Sequence, residues 1–161
     1  RKFGSIHVTS ETSDMFLLKG LGPEPISEEF NIDYLFDIAN RRTCSVKELI
    51  MNQRVVVGIG NIYAAEALFL SKIHPASLAN KVSKKQYEKL IKNIKQVLSK
   101  AISMGGSTIR DFVNAEGKPG YFTQELLVYK KKYCPIHKQN LIKNIKISGR
   151  SSFFCDKCQK I

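Results

Sequence analysis

Two pairs of potential metal ligands near the C-terminal end constrain the fold of this chain more than any other feature. Cys134 and His137 form the first pair and Cys155 and Cys158 the second, with two residues inside each pair and 17 between the pairs. Each pair fits one tight turn, so all four side chains can reach one ion. Three thiolates and one imidazole form a closed tetrahedral set, which suits a structural Zn²⁺. Chance spacing and a redox pair are alternative interpretations, and a disulfide framework fits this clustering less well.

The residues between the two pairs predict a β-hairpin. Apolar side chains recur from residue 141 to residue 147, a turn with Gly149 follows, and residues 151–154 form the returning strand. The last 28 residues have too little core to fold alone, so the metal would supply their stability. Arg150 at the hairpin tip can bind a phosphate, although a solvated turn residue is the simpler interpretation of its position alone. The fourth cysteine, Cys44, stands apart and is expected to be a buried thiol.

A glycine-flanked turn in the middle of the chain predicts a site where a ligand approaches the backbone. The β-branched run 55–57 leads into Gly58-Ile59-Gly60, and a helix-like run follows from residue 62 to residue 70. We expect Asn61 to be the N-cap of that helix. The free N–H groups at a helix N-terminus carry partial positive charge, so such a turn suits a phosphate. A plain connection between two helices explains the same pattern about equally well.

Apolar periodicity predicts three further helices. The first contains Ile32, Leu35 and Ala39, the second covers about 45–52, and the third and longest covers about 84–104. Sequences typical of capping boxes begin the second and third helices. The lysines of the longest helix fall mostly off its apolar stripe. We expect them to form a solvated face, and contact with DNA is the second interpretation.

The segments on either side of this helical module are less regular. Weak alternation over residues 5–19 indicates two strands, and the glycine- and proline-rich residues 20–25 indicate a domain boundary. Residues 107–125 predict a short helix and a polar loop, which is either a substrate loop or an exposed connection. The chain does not begin with methionine, so it is expected to be a piece of a longer protein.

The charge distribution points to an acidic polymer as the partner. The formal net charge is +12, and the basic residues concentrate in the second half, where residues 81–161 carry 18 Lys/Arg and 5 Asp/Glu. A solvated lysine-rich surface is the alternative, and an anionic membrane is a weaker one, because the cations are spread over several elements. No apolar run is long enough to predict a membrane span, and no signal peptide is recognisable.

Several motifs occur in a specific order along nearly the whole chain. They include LGPEP at 21–25, QRVVVGIGNIYAAEALF at 53–69, GGSTIRDF at 105–112, GKPGYF at 117–122 and FCDKCQK at 154–160. In this order and spacing the chain resembles the C-terminal half of bacterial formamidopyrimidine-DNA glycosylase, in the family shared with endonuclease VIII.

The resemblance implies a mainly α fold. It consists of a helix-two-turn-helix bundle and a C-terminal zinc-bound β-hairpin finger, with short N-terminal strands left from a truncated β-sandwich domain. The expected domains are residues 1–22, 23–128 and 129–161. The family removes oxidised purines, namely 8-oxoguanine and formamidopyrimidines, from duplex DNA and cleaves the abasic site by β,δ-elimination.

The resemblance also assigns roles to individual residues. Asn61 matches the asparagine that holds a phosphate beside the flipped nucleotide. Arg150 matches the finger arginine that binds the lesion phosphates and donates a proton in the elimination, and Lys47 matches a residue linked to the damaged base. The DNA-binding set is then Arg42, Lys47, Arg54, Gly60, Asn61, Tyr129 and Arg150, and the loop that closes over the damaged base includes Ser107, Thr108, Ile109, Arg110 and Tyr121.

Two departures from the family pattern limit these expectations. His137 stands where the family usually has a fourth cysteine, which zinc tolerates on chemical grounds. The family nucleophile is an N-terminal proline amine followed by a glutamate, and neither is in these 161 residues, since Arg1 matches the middle of the family chain. We therefore expect a cytoplasmic monomer that binds damaged double-stranded DNA without glycosylase turnover, and no membrane. The alternative is a stand-alone, non-catalytic, zinc-stabilised DNA- or RNA-binding module.

Overall fold

The computed structural model of the protein describes residues 8, 18–106 and 122–161. Within these residues the chain is mainly helical and ends in one two-stranded antiparallel hairpin, which confirms the expected fold class for this part of the chain. The elements are the helices α1 (Ile32–Asn40), α2 (Val46–Ile50), α3 (Asn61–Ser71) and α4 (Lys84–Ser103), short 3₁₀ turns at Ala79–Lys81 and Phe122–Glu125, and the strands β1 (Lys143–Ile147) and β2 (Arg150–Phe154).

The longest helix follows its sequence pattern closely. Ser83 and Gln86 form the reciprocal capping box at its start, and the backbone turns out of the helix at Gly105 and Gly106, whose φ angles are +74° and +90°. The apolar stripe of α4 is buried against α1 and α3. Its buried members are Tyr87, Leu90, Ile91, Ile94, Val97, Leu98 and Ala101.

The second helix is shorter than its pattern suggested. The side chain of Ser45 accepts a hydrogen bond from the N–H of Glu48 at 3.2 Å, so half of the expected capping box is present. The helix then ends at Ile50, and a turn stabilised by the side chain of Asn52 leads towards the glycine-flanked turn.

The prediction that Asn61 caps α3 is wrong. Gly60 is the N-cap residue and Asn61 is the first residue of the helix. No side chain caps this end, because the Asn61 side-chain oxygen accepts a hydrogen bond from Lys47 instead of one from the helix backbone. The expected strands at residues 5–19 and the loop at residues 107–121 lie almost wholly outside the described residues, and residues 18–20 form a turn.

The predicted boundary segment is bound to the helical part. The N–H of Gly22 donates to the carbonyl of Gln53 at 2.8 Å, and the N–H of Val57 donates to the carbonyl of Pro23 at 3.1 Å. The segment therefore lies directly on the loop that leads into α3. No helix among the described residues has the length and apolar character that crossing a membrane requires.

Replacing Gly22 by alanine is expected to destabilise this attachment. A Cβ at Gly22 would lie 2.4 Å from the backbone carbonyl of Val55, which cannot rotate away. Overpacking of this kind costs about 1–3 kcal/mol in the free energy of unfolding, which urea denaturation would measure. Gly60→Ala is the matched control, since a Cβ there meets no atom within 4 Å. Equal stabilities of the two variants would contradict the prediction.

Candidate metal centre and nucleic-acid interface

The four predicted metal ligands lie together. Their ligand atoms, including the Nδ1 atom of His137, are all within 4.8 Å of one another. The Sγ atoms of Cys134 and Cys158 are 3.7 Å apart, and His137 Nδ1 lies 3.3 Å from Cys158 Sγ and 3.9 Å from Cys155 Sγ. Zn–S bonds of about 2.3 Å in a tetrahedron place two sulfurs about 3.8 Å apart. The donor set and its spacing therefore fit one structural zinc ion.

The three thiols of the cluster ionise together only if a cation is bound beside them. Burial and the neighbouring thiols of Cys155 and Cys134 raise the pKa of Cys158 to about 12. Burial also opposes ionisation of Cys155, but hydrogen bonds from the backbone N–H of Cys158 and from His137 lower its pKa to about 7. Asn140 adds a contact of 3.4 Å to Cys155 Sγ. A divalent cation would permit all three thiolates to coexist, since a coordinating thiol is deprotonated.

The cluster is packed against the helical part. Cys134 and Cys155 share a buried apolar cluster with Ala65 and Phe69 of α3. His74, just after α3, meets the ring of Phe154 edge to face at 4.3 Å between centroids. The finger, residues 129–161, is therefore fixed on α3 through its ligands as well as its hairpin.

The C-terminal end of the finger is also hydrogen-bonded to the helical part. Gln159 is buried; its side-chain N–H donates to the carbonyl of Ile73 at 2.8 Å, and its side-chain oxygen accepts from the N–H of Cys155 at 3.0 Å. One side chain thus connects a predicted metal ligand to the backbone two residues after the end of α3.

A buried lysine connects α2, α3 and the hairpin. The ammonium of Lys47 donates to the side-chain oxygen of Asn61 at 2.5 Å, to the carbonyl of Ser151 at 3.0 Å and to the hydroxyl of Ser152 at 2.6 Å. The side-chain N–H of Asn61 donates to the same Ser151 carbonyl at 3.0 Å. Lys47 is only 1% exposed, although lysine is rarely buried without an ionic partner. This network places Asn61 beside the strand that begins with Arg150.

The three predicted DNA-binding arginines and the start of α3 have donors that are unpaired in the described part of the protein. Arg42, Arg54 and Arg150 are exposed, and none of their guanidinium groups forms a hydrogen bond or an ion pair with the described residues. The N–H groups of Asn61 and Ile62 at the start of α3 likewise have no acceptor within this part of the chain. A cavity of about 330 Å³ lies between α2 and the hairpin, next to Lys47 and Arg150. Of these groups, Arg150 lines the cavity. Free guanidinium groups and the N–H groups of a helix N-terminus can bind phosphate.

A buried carboxylate holds the segment that leads into the finger. Glu66 of α3 is 2% exposed and accepts hydrogen bonds from the N–H groups of Leu127, Val128 and Tyr129 at 2.7, 3.0 and 2.8 Å. The ring of Tyr129 meets that of Phe153 edge to face at 5.1 Å. Glu66 therefore sets the position of Tyr129 and of the chain that enters the finger.

The sequence predicted most of the metal-ligating and DNA-binding residues one by one. It did not predict the residues that connect them through hydrogen bonds. Ser151, Ser152, Gln159 and Glu66 carried no motif signal. Glu66 could have been noticed, since it is the one acidic residue in the otherwise apolar run of α3. Cys44 packs against the main core as a small apolar residue would, but it is half-buried and not fully buried as expected. The loop residues Ser107, Thr108, Ile109, Arg110 and Tyr121 lie outside the described residues.

Comparison with known proteins identifies this arrangement. Residues 21–113 match the model of the formamidopyrimidine-DNA glycosylase H2TH domain. A formamidopyrimidine-DNA glycosylase of Histophilus somni strain 2336 is 49% identical over 99% of this chain, and one of Vibrio atlanticus is 48% identical over the same share. The chain spans 60% of the length of each of these relatives.

Solved structures of the same family show the same fold. The MutM (Fpg) protein of Thermus thermophilus superposes with a TM-score of 0.83 at 34% identity, covering 89% of this chain and 55% of that one. A complex of Lactococcus lactis Fpg with DNA containing an abasic site gives a TM-score of 0.82 at 37% identity, covering 91% of this chain and 54% of that one.

Proposed function

Because the chain belongs to the formamidopyrimidine-DNA glycosylase family, we propose that it is the DNA-binding part of a base-excision-repair glycosylase. The whole protein would remove oxidised purines such as 8-oxoguanine and formamidopyrimidines, and would cleave the abasic site by β,δ-elimination. The β-rich residues expected at 5–19 would belong to a further domain of that protein. The residues described here would hold the damaged duplex.

The observation that carries this proposal is the junction of α3 with the finger. Asn61 bonds to the carbonyl of Ser151 and to Lys47, and Arg150 lines the cavity next to Lys47, so two potential phosphate ligands from distant parts of the chain lie near each other. Their donors are of the kinds that bind phosphate strongly, an amide N–H beside a helix N-terminus and a free guanidinium. A nucleotide flipped out of the helix exposes its flanking phosphates to such a pair.

The other predicted DNA-binding residues would add further contacts with the duplex. Arg42 and Arg54 would bind backbone phosphates further along the duplex, and Gly60 would let the backbone approach the strand closely. We propose that Arg150 also donates a proton in the elimination, and that the loop from Ser107 to Tyr121 closes over the damaged base. One zinc ion would hold the hairpin that carries Arg150.

The proposal predicts that Asn61 and Arg150 each contribute to DNA affinity. Asn61→Ala and Arg150→Ala should each weaken binding to a duplex with a tetrahydrofuran abasic-site analogue by about 1–3 kcal/mol. Fluorescence anisotropy with the 161-residue chain would measure this, and the affinity should fall steeply with salt. Lys85→Ala is the control matched in charge to Arg150→Ala, because this exposed lysine of α4 has no ion pair among the described residues.

Three results would contradict the proposed function. Affinities unchanged in both variants would remove the phosphate assignments. A flat salt response would remove the electrostatic basis of binding. Displacement of the abasic-site duplex by structured RNA at lower concentration than by undamaged duplex would favour an RNA-binding module instead.

A further inference from the structure

The environment of Lys47 does not suit a residue that touches a base. Its ammonium has three hydrogens, and all three are directed to protein acceptors on Asn61, Ser151 and Ser152. The hydroxyl of Ser152 in turn donates to the carbonyl of Arg150 at 3.3 Å, which leaves its oxygen free to accept from Lys47. A contact between Lys47 and a ligand would have to break one of these buried bonds, which is costly.

The same bonds determine the orientation of the Asn61 carboxamide. An ammonium can only donate, so the atom of Asn61 that faces Lys47 must be the oxygen. A backbone carbonyl can only accept, so the atom that faces Ser151 must be the nitrogen. Only one of the two possible flips of the amide satisfies both neighbours. In this flip one N–H of Asn61 is bound to Ser151 and the second remains to donate elsewhere.

The hairpin geometry explains why the carbonyl of Ser151 can accept hydrogen bonds from Lys47 and Asn61. Ser148 and Gly149 have φ angles of +47° and +75°, the pattern of a two-residue type I′ turn. The residues flanking such a turn, Ile147 and Arg150, form a hydrogen-bonded pair, so the next pair does not exchange hydrogen bonds. The carbonyl of Ser151 in that second pair therefore faces away from β1 and towards α2 and α3.

The charges around Lys47 favour the arrival of an anion. Arg150 approaches from β2, the exposed Lys146 lies opposite Ser151 in the hairpin, and the exposed Glu48 follows Lys47 on α2. No carboxylate among the described residues forms an ion pair with Lys47. Burial, and secondarily Arg150, lower the pKa of Lys47 to about 8. A phosphate bound at Asn61 and Arg150 would raise that pKa again, because it favours the charged ammonium.

We propose that Lys47 is a positioning residue that fixes the Asn61 carboxamide with an N–H directed to the DNA phosphate, and does not itself contact the damaged base. This inference rests on the proposed function, and it differs from the role that the family resemblance implied for Lys47. Without the ammonium, only the Ser151 carbonyl would hold the carboxamide, so its free N–H would be directed to the phosphate less firmly.

A double-mutant cycle tests the inference on the abasic-site duplex, which contains no damaged base to contact. Lys47→Met should weaken binding about tenfold, and Asn61→Ala should have little further effect in the Lys47→Met background. Independent contacts of the two residues with DNA would instead multiply their effects. Lys47→Arg, which keeps the charge but cannot fit three donors to the same acceptors, should behave like Lys47→Met.

The pH dependence of the unmodified chain provides a second test that does not depend on a variant folding. Below about pH 8 Lys47 is already protonated, so the affinity should be constant; above it, binding requires proton uptake, and the affinity should fall by up to about tenfold per pH unit. In the Lys47→Met variant this fall should disappear, and in Asn61→Ala it should be smaller, because only the charge of a phosphate held by Arg150 would then act on Lys47.

The outcomes separate the inference from the proposed function. Additive effects in the cycle, or a fall above pH 8 that keeps its full size in Asn61→Ala, would overturn the positioning role while DNA binding by Asn61 and Arg150 stands. A loss of affinity in Lys47→Met that appears only with a base-containing lesion would overturn it in favour of a base contact. No salt-dependent binding by the unmodified chain would remove the proposed function itself.

Discussion

Removing zinc should abolish high-affinity DNA binding while leaving the helical core folded. Metal binding contributes on the order of 10–16 kcal/mol to the folding of small zinc modules, far more than any single contact described above. Without the ion, the buried Cys155 and the half-buried Cys158 lose the group that would hold them together, and we expect the hairpin to lose its position against α3. Asn61 and Lys47 then lose the Ser151 carbonyl to which both are bound.

Atomic emission should find one zinc per chain before chelation. Hydrogen exchange should then show loss of protection in β1 and β2 but not in α4. Cys155→Ser should reproduce the effect, and Cys44→Ser should keep the metal, because Cys44 is remote from the cluster. The prediction fails if the metal-free chain keeps both its protection at residues 143–154 and its affinity for the abasic-site duplex.

Replacing Glu66 by alanine should destabilise the protein by about 3–5 kcal/mol. The change leaves three backbone N–H groups without an acceptor, and each unsatisfied buried group costs about 1–3 kcal/mol, part of which water entering the cavity recovers. The segment 127–129 would separate from α3, and DNA affinity would fall because Tyr129 and the finger follow that segment. Urea denaturation and anisotropy would measure the two effects.

Glu66→Gln provides a graded comparison. Its oxygen can still accept from the N–H groups of Val128 and Tyr129, both of which contact the same oxygen of the native carboxylate. Its amide nitrogen would face the N–H of Leu127, so one donor remains unsatisfied and the loss should be intermediate. Glu29→Ala, at an exposed acidic residue, should change stability by less than about 0.5 kcal/mol. Similar losses in all three variants would contradict the role of the Glu66 carboxylate as the acceptor for the N–H groups of residues 127–129.

The features predicted correctly from sequence are those that depend on neighbours in the chain. The capping box at Ser83 and the apolar stripe of α4 lie within one helix, and the two ligand pairs and the hairpin lie within 28 residues. Zinc chemistry restricts its ligands to few residue types, so that pattern was specific as well as local.

The features that sequence reasoning missed depend on contacts between distant residues. Asn61 was expected to cap its own helix because asparagine commonly does so, but it bonds to Ser151, 90 residues away, and to Lys47. The contact of Lys47 with Ser152 spans 105 residues. No local periodicity encodes such pairs, and the tertiary contact overrode the local preference of Asn61.

The long separation between Lys47 and β2 has a consequence for synthesis of the protein on the ribosome. The residues that build the main core, up to Leu98, are translated before Cys155 and Cys158, so the core can form while the hairpin is still absent. During that interval we expect the ammonium of Lys47 to be exposed to water, because its acceptors on Ser151 and Ser152 are still absent. We therefore expect its burial to be one of the last events of folding, after the final cysteines and the metal have arrived.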